Sequence, residues 1–99
     1  MAVFQLSFDL LMRRVEPARN YDPLFAEIEK MERVTIGETH WIVTTNETGK
    51  ELRDRLKEFI HVNDTLFVSA LDEWWAFADI PKMNRIIGYQ NQEPSVSPN

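Results

Sequence analysis

The sequence predicts an α+β domain in which two helices cover one face of a four-stranded antiparallel sheet. Three observations support this class: an almost perfectly alternating segment at residues 2–9, two amphipathic stretches typical of helices, and further β-type segments after each of those stretches. A chain of 99 residues that is 43% hydrophobic has the size and composition of a single domain with one core.

The first predicted strand, residues 2–9, alternates between apolar and more polar side chains. Phe4, Leu6 and Phe8 share one face, as expected for a strand with one side in a core. The strand ends on a carboxylate, Asp9, and open α/β sheets tend to place ligands or chemistry at the ends of their strands. Asp9 is therefore a candidate functional residue; its simpler role would be to end the strand and cap the following turn.

The first helix is predicted to begin at Tyr21-Asp22-Pro23. Asp22 is a plausible N-cap, and Pro23 suits the first helical position. The apolar residues that follow recur at helical spacing and predict a helix lying on the sheet. They are Leu24, Phe25, Ile28 and Met31.

Two β-type segments come next and are close enough in the chain to form a hairpin. Residues 33–37 form the first, Gly37-Glu38 marks a turn or a bulge, and residues 39–44 form the second, rich in β-branched and aromatic side chains.

The second helix carries the capping-box pattern, with Thr48 followed three positions later by Glu51. Its predicted buried stripe consists of Leu52, Leu56, Phe59 and Ile60. Its charged residues are predicted to form a solvated face with weak ion pairs. They are Arg53, Asp54, Arg55, Lys57 and Glu58.

After a turn at 62–64, residues 65–70 alternate again and predict a fourth strand. Residues 71–78 fit either a short strand or a helical turn. The order strand, helix, strand, strand, helix, strand is that of the ferredoxin-like βαββαβ fold, and we expect it to occupy residues 1–88 as a single domain. The polar segment 89–99 is predicted to be a disordered C-terminal tail.

Composition limits the chemistry. The chain has no cysteine, so disulfides and thiolate metal sites are excluded and a cytoplasmic location is expected. No apolar run approaches the roughly 18 residues that a membrane span needs, so no membrane attachment is expected. A net charge of −5 disfavours unspecific nucleic-acid binding. Arg13, Arg14 and Arg19 nevertheless cluster in one predicted loop, where they are either solvated side chains or candidate nucleic-acid-binding residues that contact phosphates.

Four segments together resemble a known family. They are Phe8-Asp9, Tyr21-Asp22-Pro23-Leu24, Thr39-His40-Trp41-Ile42-Val43 and Asn63-Asp64-Thr65-Leu66-Phe67-Val68. In this order they resemble the SinR-type proteins, which are similar to the CRISPR-associated Cas-two family and to the VapD ribonucleases. The resemblance covers roughly residues 2–70 and rests on the order and spacing of the segments rather than on any one of them.

The resemblance implies a ferredoxin-like homodimer of nucleic-acid metabolism or defence. It implies that Asp9 faces its symmetry mate and that the paired carboxylates hold a divalent ion such as Mg²⁺, which would make Asp9 both the metal ligand and the catalytic residue. An active protein of this kind would be a weak or degenerate Mg²⁺-dependent endonuclease acting on RNA or DNA.

A second function, from a different class, is left open by the sequence. The acidic balance and the lack of a second catalytic group also fit a non-enzymatic interaction protein, such as a phage or mobile-element inhibitor, a scaffold or a nucleic-acid mimic. The three tryptophans are expected to fill the core or an interface, with base stacking on an open sheet face as the alternative. His40 is expected on the sheet surface and His61 at a helix end.

Overall fold

The computed structural model describes residues 1–11, 20–77 and 92–93. Its main sheet is antiparallel with the order β2-β3-β1-β4. The strands are β1 (Ala2–Asp9), β2 (Glu32–Gly37), β3 (His40–Thr45) and β4 (Thr65–Ala70), and the helices are α1 (Asp22–Glu29) and α2 (Gly49–Leu56), the latter followed by a 3-10 turn at Lys57–Phe59. The α+β class with a four-stranded antiparallel sheet and two helices is confirmed, and the layout is compatible with a ferredoxin-like fold.

β1 lies inside the sheet, between β3 and β4, and its alternation is confirmed. Phe4, Leu6 and Phe8 are at most 7% exposed. They pack in one cluster with buried residues of both helices, including Leu24 of α1 and Leu52 of α2. Both helices therefore cover the same face of the sheet, which we call the helix face.

The prediction that Asp22 caps α1 is wrong by one position. The N-cap is Tyr21, and its side chain makes no capping hydrogen bond. Asp22 lies in the first helical turn, where its carboxylate suits the positive end of the helix dipole. Its backbone N–H donates to Asn20 Oδ1 at 2.9 Å, so an asparagine before the helix performs the role expected of the aspartate.

The capping box of α2 is confirmed in both directions. Thr48 Oγ1 accepts from the backbone N–H of Glu51 at 3.1 Å, and Glu51 Oε1 accepts from the backbone N–H of Thr48 at 2.9 Å. The helix then begins close to the sheet, because a Cβ on Gly49 would lie only 3.2 Å from the ring of Phe4. Glycine therefore suits the close approach of α2 to β1, because a larger residue would have to displace the Phe4 ring by a few tenths of an ångström.

The hairpin of β2 and β3 is confirmed, and it contains the irregularity expected near Gly37. Thr35 pairs with Trp41 and Gly37 pairs with His40, so β2 has one extra residue, Ile36, between the two pairs. This is the arrangement of a β-bulge, which bends a strand and redirects a side chain. Ile36 is 38% exposed and lies on the face of the sheet away from the helices.

The end of the described chain adds a small second sheet. Strand β5 (Ala76–Phe77) pairs in parallel with β6 (Gln92–Glu93), which decides the 71–78 segment in favour of a short strand. The predicted tail, 89–99, lies outside the described residues except for Gln92–Glu93, and the predicted boundary at residue 88 also lies outside them.

Candidate functional site: the open face of the sheet

The sheet face opposite the helices, which we call the open face, has its own small apolar cluster. Val34 and Ile42 are at most 5% exposed there, and Val3, Leu71 and Trp74 pack against them. The backbone N–H of Leu71 donates to the carbonyl of Val3 at 2.9 Å and extends the pairing of β4 with β1 by one residue. The chain then crosses this face, since Trp74 packs against Val34 of β2 and Ile42 of β3. The segment after β4 therefore covers part of the open face and leaves the rest accessible.

Between this segment and the sheet lies a cleft of about 290 Å³. Gln5 of β1 and His40 and Ile42 of β3 form its floor. Its remaining lining consists of Ile36, Leu71 and residues 74–77. The cleft thus joins the sheet, the bulge of β2 and the crossing segment.

The floor of the cleft carries a chain of hydrogen-bonded polar side chains. Gln5 Nε2 donates to Ser69 Oγ at 3.2 Å, and Gln5 Oε1 lies 2.9 Å from Nε2 of His40. Because a carboxamide oxygen can only accept, Nε2 of His40 is the protonated nitrogen of that pair. The three residues come from three neighbouring strands, so the sheet register fixes their positions.

Aromatic side chains line and extend the accessible part of this face. Trp75 is 75% exposed, Phe77 is 68% exposed, and Phe67 of β4 is 58% exposed. The indole N–H of Trp75 donates to Glu73 Oε1 at 3.3 Å. Large aromatic groups with this exposure are common at binding surfaces, because each ring offers a wide apolar contact area.

The three tryptophans divide between the two faces of the sheet. Trp41 is 6% exposed in the core on the helix face, where its ring meets that of Phe8 edge-to-face at 5.8 Å between centroids. Trp74 is half-buried and Trp75 is exposed, and both line the cleft. The expected core position is confirmed for Trp41. Trp75 lies outside the core, and an interface position for it stays a prediction.

Asp9 is the last residue of β1, paired with Thr65 of β4, and it is exposed at the rim of the open face. By the alternation of β1, it shares a face with Gln5 rather than with the core. Within residues 1–11, 20–77 and 92–93 there is no group of three His, Cys, Asp or Glu side chains that could hold a metal ion. Arg13, Arg14 and Arg19, the predicted phosphate contacts, lie outside the described residues.

The other polar residues near this end of the sheet belong to the helix face. Asp64 Oδ2 accepts from the hydroxyl of Tyr21 at 2.6 Å and from the backbone N–H of His61 at 2.8 Å. Tyr21 is part of the core under the helices. Asp64 therefore fixes the turn before β4 from the helix side of the sheet.

His61 also has a local structural role. Its Nδ1 accepts from the backbone N–H of Asn63 at 3.1 Å, which closes the turn after the 3-10 segment. His40, in contrast, reaches the cleft floor on the open face, as the prediction of a sheet-surface histidine required.

The described lysines and arginines lie on the helix side of the sheet. Those on or beside the helices are Lys30, Lys50, Arg53, Arg55 and Lys57. Arg33 of β2 also reaches that side, where it donates to the carbonyl of Glu29 at 3.2 Å. Three of them surround Asp54, and hydrogen bonds from Arg53 and Lys50 lower the pKa of its carboxyl to about 2.

Arg55 was predicted to be a solvated surface residue, and this prediction is wrong. Its guanidinium binds Glu47 with a fork of two bonds at 2.9 and 2.7 Å and reaches Glu27 of α1 at 3.0 Å. The Arg55 hydrogen bonds lower the pKa of Glu47, and Lys30 and then Arg55 lower that of Glu27. The cluster joins α1, α2 and the end of β3, so its role is structural.

The cleft was missed by sequence reasoning, although one signal pointed to it. Gln5 and His40 are polar residues in the middle of a strand and at the start of its neighbour, on the face that was expected to be open. Their side chains contact each other although they are 35 positions apart in the sequence. A pattern within a few neighbouring residues therefore cannot predict the pair.

No protein-family model matches the chain, and no solved structure is significantly similar to it. The resemblance to the SinR-type proteins therefore stays a prediction. None of the helices that the structure describes is long and apolar enough to cross a membrane.

Proposed function

We propose that the chain is a ferredoxin-like homodimeric protein that acts on nucleic acid, with Asp9 as the residue that would support metal-dependent cleavage. The observation that carries this proposal is the place of Asp9: an exposed carboxylate at the end of an inner strand, at the rim of a face that carries accessible aromatic rings. The sequence resemblance supplies the function class, and the sheet order β2-β3-β1-β4 is compatible with the fold that it implies.

A divalent ion fits this site only if two copies of Asp9 meet. Mg²⁺ prefers six oxygen ligands and keeps several waters, so a single carboxylate is a poor site. Two Asp9 side chains related by a two-fold axis would offer four oxygens and leave positions for water and phosphate. A bound ion would supply activated water for phosphodiester hydrolysis, and Asp9 would hold it beside the scissile phosphate.

The proposal is tested by cleavage assays with purified protein on single- and double-stranded RNA and DNA. We expect cleavage with Mg²⁺ or Mn²⁺ that chelation removes and that Asp9→Asn abolishes. The matched control is Glu29→Gln, which neutralises an exposed carboxylate on the helix side of the sheet and should cut like the wild type.

The dimer is tested separately by sedimentation at several protein concentrations. We expect a species of twice the chain mass of 11.7 kDa. A monomer at all concentrations would remove the shared metal site, because one Asp9 cannot hold the ion alone. Pure protein that cuts no substrate with either ion would remove the nuclease activity.

A second candidate is the non-enzymatic acidic interaction protein. The observation that favours it is charge: the described charged residues on and beside the open face are acidic and include Asp9, Glu32, Asp72 and Glu73. A face with acidic side chains around an apolar centre suits a basic protein partner better than it suits a phosphate backbone.

The second candidate predicts a stable complex with a basic protein that weakens when Glu73 is changed to Lys. Glu58→Lys is the matched control, because Glu58 is exposed in the 3-10 turn on the helix side. Charge reversal at Glu27 or Glu51 is less informative, since the first lies in the Arg55 cluster and the second in the capping box. Equal weakening by both variants would assign the effect to net charge alone and contradict a docking site on the open face.

A further inference from the structure

We propose that the cleft on the open face binds an uncharged planar heterocycle whose edge presents a hydrogen-bond donor beside an acceptor, the chemistry of a nucleobase. This deepens the proposed action on nucleic acid and rests on it for the source of the ring. The binding site itself is assembled from Gln5, His40 and the aromatic residues of the segment after β4.

The hydrogen-bonding capacity of the floor suits such an edge. A carboxamide has two donor hydrogens and an oxygen with two lone pairs. Gln5 uses one donor for Ser69 and one lone pair for His40, so a second donor and a second lone pair remain for a ligand. Glutamine side chains read adenine by this combination, donating to one ring-edge atom and accepting from its neighbour.

The position of Gln5 is fixed before any ligand arrives. Ser69 and His40 hold its two polar atoms at 3.2 and 2.9 Å from neighbouring strands. A polar group that is already oriented loses little conformational freedom when it binds, and this increases both affinity and selectivity.

The size and walls of the cleft suit a single ring system. Its volume of about 290 Å³ is at the lower end of the range for ligand pockets. Trp74 and Trp75 line it, and Phe77 adds a third ring. A planar base gains stacking energy on such rings regardless of its sequence context.

The charge of the residues around the cleft favours a base over a phosphate as its ligand. The described lining of the cleft contains no lysine or arginine, and Asp72 and Glu73 belong to the same crossing segment. Phosphate binding needs cations or helix N-termini, so the nucleic-acid backbone would lie elsewhere. The cleft therefore selects the neutral part of a nucleotide.

The ring can come from a free nucleoside or from a single strand, and the test distinguishes the two. The probe is adenosine, titrated into the full chain without metal and followed by the NMR signals of the tryptophan indole N–H groups. A six-nucleotide oligoadenylate and ribose 5-phosphate are titrated in parallel. We expect saturable shifts of the Trp74 and Trp75 signals with adenosine, no shift with ribose 5-phosphate, and an unshifted Trp41.

Two variants test the assignment of the residues. Gln5→Leu removes the hydrogen-bonding edge and should weaken adenosine binding about tenfold or more. Trp75→Ala should weaken it about fivefold or more through lost stacking, and its 75% exposure makes it safe for folding. Phe67→Ser, on the same face but outside the cleft lining, is the matched control and should bind adenosine like the wild type.

Each outcome decides the proposal. Tighter binding of the oligoadenylate than of adenosine supports a single strand as the source, and equal binding supports a free nucleoside. The proposal is wrong if adenosine and the oligoadenylate leave Trp74 and Trp75 unshifted, if ribose 5-phosphate shifts them equally, or if Gln5→Leu and Trp75→Ala both bind like the wild type. Asp9→Asn should bind adenosine normally, so loss of nuclease activity and loss of base binding are separate results.

Discussion

The two faces of the central sheet differ in burial and in charge. On the helix face the apolar side chains of β1, β3 and both helices are almost completely buried in one cluster. Among the residues that the structure describes, Val34 and Ile42 are the buried ones on the open face, while Phe67, Trp75 and Phe77 remain more than half exposed. Burial of apolar area is the main source of stability, so the helix face maintains the fold and leaves the open face available for binding.

Charge follows the same division. The described lysines and arginines lie on the helix side, many of them paired with nearby carboxylates. The described lining of the cleft on the open face consists of Gln5, His40 and apolar side chains, three of them aromatic, and contains no lysine or arginine. A molecule whose net charge is −5 thus keeps its described cations away from the face that we propose binds a base.

The largest effect should come from truncating the tryptophan on the helix face. Trp41→Ala is expected to lower the free energy of unfolding by about 3–5 kcal/mol, because it leaves a cavity beside Phe8 and Phe25. Trp75→Ala, its counterpart on the open face, should change it by less than about 0.5 kcal/mol. Urea denaturation of both variants measures the difference, and equal losses would contradict the division between the faces.

A smaller loss is expected from the polar cluster that joins the helices. Arg55→Ala should cost about 1 kcal/mol, since Glu47 and Glu27 lose their shared partner and keep only Thr45 and Lys30. Arg53→Ala is the control, because Arg53 pairs with Asp54 at the surface and should cost less than about 0.5 kcal/mol. An Arg55→Ala protein as stable as the control would return Arg55 to the solvated face predicted from sequence.

The pH dependence of stability should report the same cluster. The Arg55 fork lowers the pKa of Glu47 below its ordinary 4.5, so folding favours the ionised carboxylate. Its stabilising contribution is complete above pH 4.5 and is lost as the pH falls through the lower pKa of the folded state. The stability advantage of wild type over Glu47→Gln should therefore shrink on acidification from neutral pH, as urea denaturation at several pH values would measure.

A double variant controls for other effects of the Glu47 change. In an Arg55→Ala background, Glu47→Gln should have much the same effect at every pH, because the fork that lowers the pKa is gone. If the effect of Glu47→Gln on stability still depends on pH in the Arg55→Ala background, a group other than Arg55 lowers the pKa of Glu47.

The smallest effect is expected on the open face itself. Phe67→Ser should change the free energy of unfolding by less than about 0.5 kcal/mol, because Phe67 is 58% exposed. It should also reduce any self-association through this face, which sedimentation would detect. A large loss of stability would mean that a partner or another part of the chain covers the ring.

The fold could be predicted largely from local patterns. The alternation of β1, the capping box of α2 and the hairpin irregularity at Gly37 each depend on residues a few positions apart, and each is confirmed. The start of α1 was misplaced because Asn20, Tyr21 and Asp22 lie side by side, and local propensity does not decide which of them precedes the first turn.

The candidate site was less predictable because its contacts join distant parts of the chain. Gln5 reaches His40 and Ser69, which are 35 and 64 positions away. Arg55 was assigned to the wet face by helical spacing, which carries no information about Glu47 in the preceding loop or Glu27 on the other helix. Asp9 was placed correctly at the end of its strand, while its metal and its symmetry mate stay predictions.

Because Ile36 is an extra residue in β2, the side of the cleft that it lines can be changed without changing the core under the helices. Without Ile36, the pairs Thr35 with Trp41 and Gly37 with His40 would become consecutive steps of a regular ladder. A one-residue deletion would then remove one side of the cleft while the helix side keeps its packing. Changes to the bulge at Ile36 should therefore alter the ligand preference of the cleft without changing the melting temperature.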